Sequence, residues 1–215
     1  MIQINRRVNL PMFPASMARV LILYATTEGH TARVAARIAQ RLRDRGHAVE
    51  SHRAEPAGMG LNLAGFDALI VGASVHYGRH PPHLRTWLRE HRADMAALPG
   101  AFFSVSLSAR TKPPAAQRYL ENFLRQAGWQ PRQTATFAGA LPYSRYATWK
   151  RLLMIAFVAL AGGDTDTSRD YEYTDWDGVR RFADGFAVSV DLGQTADGSE
   201  AYDAPNQGPS SRSPP

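Results

Sequence analysis

The chain has 215 residues and no cysteine, which excludes a disulfide framework, a thiolate metal site and a cysteine nucleophile. With 44% hydrophobic residues it can bury one sizeable core. Its net charge of +6 suits anionic headgroups or acidic substrates; the basic residues are spread out with no basic–aromatic module, which argues against nucleic acid.

The first sixteen residues, "MIQINRRVNLPMFPAS", carry Arg6 and Arg7 but no apolar run long enough for a signal peptide. Residues 1–16 therefore read as a disordered N-terminal extension, and Met17 directly precedes the first strand. "RVLILYAT" (19–26) is a continuous apolar strand of the kind buried on both faces. In 31–45, Val34, Ala35, Ile38, Ala39 and Leu42 fall on one helical face. "HAVESHRA" (47–54) reads as a more polar strand at a sheet edge, and "DALIVGASV" (67–75) as a second buried strand. Residues 81–98 start with proline and show helical spacing; "AFFSVSLS" (101–108) is a strand and 114–128 a helix ending at glycine. "QTATFAGAL" (133–141) is a fifth strand, and 173–190 is a last helix in which Thr174 and Asp177 are spaced as a capping box. From Asp191 the tail is rich in Gly, Ser and Pro and reads as disordered, so one domain is expected over 17–190.

Five strands alternating with helices predict an α/β fold with a parallel sheet. Ligands bind such sheets outside the carboxyl ends of the strands, which here means after Thr26, Val75 and Ser108. At the first turn, Thr26, Thr27, Glu28, Gly29, His30 and Thr31 lead into a helix. Hydroxyls, a glycine and a helix N-terminus can hold a phosphate without Lys or Arg; an ordinary capped helix is the other reading. Neither a nucleoside-triphosphate loop nor a dinucleotide fingerprint is present. The second turn offers Ser74, Val75, His76, Tyr77 and Gly78, where a flat ring could lie, followed by Arg79. The third offers Ser106, Leu107, Ser108, Ala109 and Arg110, then Lys112. Each of these two could also be a plain solvated loop; their convergence at one end of one sheet favours a site.

"LILYATTEGHT" resembles the phosphate loop of flavodoxins, with Glu28 where that pattern has its second hydroxyl. "IVGASVHYG" (70–78), "FFSVSLSAR" (102–110), "FAGALPYSRY" (137–146), "AGGDTDT" (161–167) and "YTDWDGVRRFA" (173–183) follow in order. Together they are similar to the flavodoxin-type protoporphyrinogen oxidases. The resemblance implies a flavodoxin-like three-layer sandwich with a five-stranded parallel sheet in the order 2-1-3-4-5. It implies FMN as cofactor, bound at the three turns, and oxidation of protoporphyrinogen IX, in haem biosynthesis, with menaquinone or ubiquinone as acceptor. No metal site is expected. No catalytic acid or base stands out; His76 is the best placed, and a structural loop histidine is the favoured reading because flavin chemistry is mostly the cofactor's own.

Between the fifth strand and the last helix lies "YSRYATWKRLLMIAFVALAGG" (143–163). Its apolar run Leu152 to Ala161 would be about 15 Å long as a helix, half a bilayer's hydrocarbon core. It reads either as a core helix or as an interfacial or substrate-covering insert, the second favoured by its lack of a polar face. Arg145, Lys150, Arg151, Leu153 and Phe157 are its candidate contacts, and Arg79, Arg110, Lys112, Arg145 and Arg151 are candidate counter-charges for the substrate's propionates. This predicts a cytoplasmic protein held peripherally on the inner face of the cell membrane; whether it forms a homo-oligomer stays open. Two other functions compete. A flavodoxin-like electron carrier is disfavoured by the positive charge and the insert. An NAD(P)H-dependent quinone reductase would need a nucleotide site that no segment marks.

Overall fold

The computed structural model describes residues 17–56, 60–141 and 171–200, with side chains for all of these except Leu141 and residues 193–200. The elements are β1 (Arg19–Ala25), α1 (His30–Asp44), β2 (Ala48–Arg53), β3 (Ala68–Ser74), α2 (Pro82–Glu90), α3 (Arg92–Met95) and β4 (Gly100–Ser106). They continue as α4 (Ser108–Thr111), α5 (Pro113–Ala127), β5 (Gln133–Ala138), β6 (Ala140–Leu141), β7 (Tyr171–Glu172) and α6 (Trp176–Glu200).

The main sheet is parallel throughout, in the order β2-β1-β3-β4-β5. β1, β3 and β4 sit inside it, which is why their sequences are apolar at nearly every position, while β2 lies at the edge with a mostly exposed AVESHR. Alternation then splits the core in two. Val20, Ile22, Ile70, Phe103 and Phe137 face α1 and α6, where Val34, Ile38, Leu42, Phe182 and Phe186 meet them. Leu21, Leu23, Val71 and Phe102 face α2 and α5, meeting Leu84, Leu88, Leu120 and Phe123. Each buried aromatic or branched side chain contributes about 1.5–3 kcal/mol. Gly72 belongs to this packing: a Cβ there would lie 2.0 Å from Phe103 Cζ, so β3 needs glycine for Phe103 to cross it.

Several boundaries differ from expectation for local reasons. The helix read over 81–98 breaks after Glu90, because the His91 ring donates from Nδ1 to the Trp87 carbonyl (3.0 Å) and stacks on the Trp87 ring (4.3 Å). The fourth strand stops at Ser106, not Ser108, since Ser106 Oγ accepts from the Ala109 amide and starts the turn α4. The fifth strand stops at Ala138; Gly139 bonds to Ser106, and Ala140–Leu141 pairs antiparallel with Tyr171–Glu172 in a separate ribbon. At α6 the cap is Asp175, whose Oδ1 accepts from the Gly178 amide (2.9 Å), and not Thr174. That helix runs on to Glu200, past the point where composition suggests disorder. Residues 1–16 and 201–215 lie outside the described residues, as does the apolar segment 143–163. Among the described residues no helix is long and apolar enough to cross a membrane.

Candidate functional site

Strand register brings the three turns together. Ala25 of β1 is level with Ala73 of β3, and Ser74 is level with Val105 of β4. Three neighbouring strands therefore end side by side, so the first and third turns are about 10 Å apart with the second between them.

The first turn is shaped for an anion. Gly29 has φ +89°, a left-handed conformation that favours glycine, and its amide donates to Thr26 Oγ1 (3.0 Å). No side chain caps α1 and its first turn holds no acidic residue, so the helix end keeps its positive character. Thr31 Oγ1 is buried with no hydrogen-bond partner, and the residue is 1% exposed. A buried hydroxyl without a partner costs about 1–3 kcal/mol, so its place here calls for a ligand acceptor. Thr27 is exposed, while Glu28 and His30 are partly buried.

The second turn is a tight hairpin in which His76 and Arg79 exchange backbone hydrogen bonds (2.8 and 3.1 Å). Tyr77 has φ +49° and is 69% exposed, a non-glycine left-handed residue presenting a ring at the sheet's carboxyl edge. The His76 ring packs edge-on against it (4.3 Å) and forms no hydrogen bond among the described residues. Beneath the hairpin, Ser74 Oγ is a second buried hydroxyl without a partner. In the third turn Ser106 is buried as a cap, Leu107, Ser108 and Ala109 are partly buried, and Arg110 sits 3.8 Å over the Tyr173 ring. Lys112 is exposed where α5 begins.

Two orphaned hydroxyls, an anion-friendly helix end and an exposed aromatic ring share one edge, and no cluster of metal-ligating residues occurs among the described ones. These residues fit a phosphate-bearing planar cofactor. Arg145, Lys150, Arg151, Leu153 and Phe157 lie outside the described residues.

Spacing gave no sign of the residues that fasten the first turn to the chain before α6. Thr174 Oγ1 donates to the Ala138 carbonyl (2.8 Å), which spends its proton; His30 Nε2, 2.6 Å away, must then be the donor to Thr174 Oγ1. Burial pushes the His30 ring below its ordinary pKa, with Glu172 opposing and Arg33 assisting, so this tautomer is neutral. Arg33 pairs with Glu172 at 2.8 Å, and Trp176 Nε1 donates to the same carboxylate at 2.7 Å. Burial works against that charge, yet these donors hold Glu172 below the usual carboxylate range. His80, also unforeseen, is buried under the second turn with Nε2 2.9 Å from Ser104 Oγ, and burial lowers its pKa to about 4. It is neutral at physiological pH and acts as a structural post.

Residues 21–168 match the flavodoxin domain. The chain is 36% identical over 173 residues to a protoporphyrinogen IX dehydrogenase (quinone) of Leishmania major, covering 79% of this chain and 75% of that protein. It is 32% identical over 179 residues to the protein of the same name from Escherichia coli strain K12, covering 80% and 97%. In fold it is similar to the oxidised flavodoxin 1 of Bacillus cereus, with a TM-score of 0.51 at 17% identity over 80% of this chain and 98% of that one.

Proposed function

The chain belongs to the flavodoxin-type family of quinone-linked protoporphyrinogen IX dehydrogenases, and from that footing we propose that it oxidises protoporphyrinogen IX to protoporphyrin IX with a quinone as acceptor. It is an oxidoreductase of the flavodoxin fold. The observation that carries the substrate reading is the match over 97% of the E. coli relative's length. FMN, when bound, supplies two-electron redox chemistry between the porphyrinogen and the quinone. Six electrons and six protons leave the substrate in three steps, and three quinones become quinols.

The chain's own residues bind and position. Thr31, Thr26 and the α1 N-terminus would hold the phosphate, and Ser74 and the Tyr77 ring would bind the flavin ring system. We assign His76 a structural role, because among the described residues its ring only packs edge-on against Tyr77. The test is anaerobic mixing of FMN-loaded protein with protoporphyrinogen IX and a soluble quinone. Porphyrin absorbance should appear in large molar excess over protein, and NADPH should leave the flavin oxidised. Rapid reduction by NADPH with no porphyrin would establish a quinone reductase instead, and a flavin that merely shuttles electrons between proteins would establish a carrier.

We further propose peripheral attachment to the inner face of the cell membrane through residues 143–163. The support is compositional: Lys150 and Arg151 precede the run Leu152 to Ala161, and both substrate and quinone partition to membranes. Each basic residue near an anionic leaflet contributes about 1 kcal/mol. Lys150→Glu with Arg151→Glu should release the protein from anionic vesicles in a co-sedimentation assay, most clearly at low salt. Unchanged sedimentation would reject the attachment.

A further inference from the structure

A groove of about 640 Å³ runs between α2 and α5, starting from the second turn. Gly78 and Arg79 form one end, where the second turn leaves the sheet, and Arg85, Tyr119, Phe123 and Gln126 line its length. We propose that this groove holds the carboxylate edge of the tetrapyrrole, with Arg79 and Arg85 as its counter-charges; this rests on the substrate reading above.

Three observations point there. First, the groove brings together two guanidinium groups that pair with no carboxylate among the described residues. Arg85 is held in place by a neutral partner, since Nη1 donates to Gln126 Oε1 across the groove (2.6 Å). That fixes the guanidinium and leaves most of its five N–H donors for an anion. The Arg79 backbone is likewise pinned by its two hydrogen bonds to His76. Second, the walls are aromatic: the buried Phe123 and the half-buried Tyr119 offer an apolar bed beside the charges. An apolar macrocycle with two carboxylates on one side matches that combination, whereas a quinone head has no carboxylate for two arginines. Third, Gly78 is both a wall of the groove and the neighbour of Tyr77, so a ligand anchored here extends toward the exposed ring at the sheet's edge.

The test compares protoporphyrinogen IX with its dimethyl ester on full-length, FMN-loaded wild type, Arg79→Gln, Arg85→Gln and Arg85→Lys. A charge-assisted contact is worth roughly tenfold or more in affinity. Each Gln variant should therefore raise KM for the diacid about tenfold with kcat nearly unchanged, and should match wild type on the diester. Arg85→Lys should recover part of the loss. Binding of the redox-inert product protoporphyrin IX, read by its fluorescence, should weaken in parallel, and FMN content should not change. Equal losses on diacid and diester, or an unchanged KM, would overturn the assignment while leaving the enzyme reading intact. Wild type that fails to convert the diacid would overturn both.

Discussion

Thr31→Val is expected to move two quantities in opposite directions: the apoprotein becomes more stable and FMN binds more weakly. The Thr31 hydroxyl is buried at the start of α1 and has no partner among the described residues. Without ligand it is a desolvated polar group, and replacing it with a methyl of the same shape should stabilise the apoprotein by about 1 kcal/mol. On the proposed reading, the same hydroxyl would donate to a phosphate oxygen of FMN, a bond to a charged group worth about 1.5–3 kcal/mol. Its loss should weaken FMN by roughly 10- to 150-fold. Urea unfolding of the apoprotein and flavin-fluorescence titration read the two effects separately. A destabilised apoprotein with unchanged FMN affinity would make Thr31 a structural residue and move the phosphate elsewhere. The opposed signs matter because a general packing defect lowers both quantities together.

The layered fold was legible wherever a strand is buried on both faces or a helix shows one apolar stripe. β1, β3 and β4 announce themselves as unbroken apolar runs, and β2 as an edge by its polarity. The three turns followed from topology alone, because a parallel sheet fixes which strand ends share an edge. Side-chain hydrogen bonds that override a local pattern were not legible. His91 ends α2 through its ring, Ser106 turns a strand end into α4, and Asp175 displaces Thr174 as the α6 cap. Thr174 is instead drawn to Ala138 and to His30, its partner 144 positions away. The same limit applies to Arg85. On sequence it is one basic residue of a helix among many; only the packing of α2 against α5 gives it a groove and a neutral partner.

Stability should fall with acid in part because of one buried histidine, and His80→Gln should remove that histidine's share of the dependence. The His80 ring lies 4.7 Å from the Phe123 ring and 5.7 Å from the Phe102 ring, with Ser104 Oγ as its hydrogen-bond partner. Burial lowers its pKa to about 4 from an ordinary value of 6.5. Above pH 6.5 both folded and unfolded chains carry the neutral ring, and the group has no effect on the pH slope. Between pH 6.5 and 4 the unfolded chain binds a proton that the folded chain refuses, so stability declines as pH falls through that window. The integrated loss is about 3 kcal/mol, a large part of a typical domain's margin. Glutamine keeps an amide for Ser104 and does not titrate. The variant should therefore be slightly less stable than wild type at pH 7.5 and at least as stable at pH 4.5. Urea unfolding at both pH values gives the comparison, and the remaining titratable groups contribute equally to the two proteins. His80 also follows directly on the hairpin that carries Tyr77, so protonation that dislodges its ring loosens the second turn, the proposed flavin contact. FMN release on acidification should show the same window in wild type and a flatter course in His80→Gln. Parallel stability curves for the two proteins would mean that the buried His80 ring is not a group that senses pH, and the acid response would then belong to the other shifted groups, His30, Glu172 and the Asp184 shared by Arg41 and Arg45.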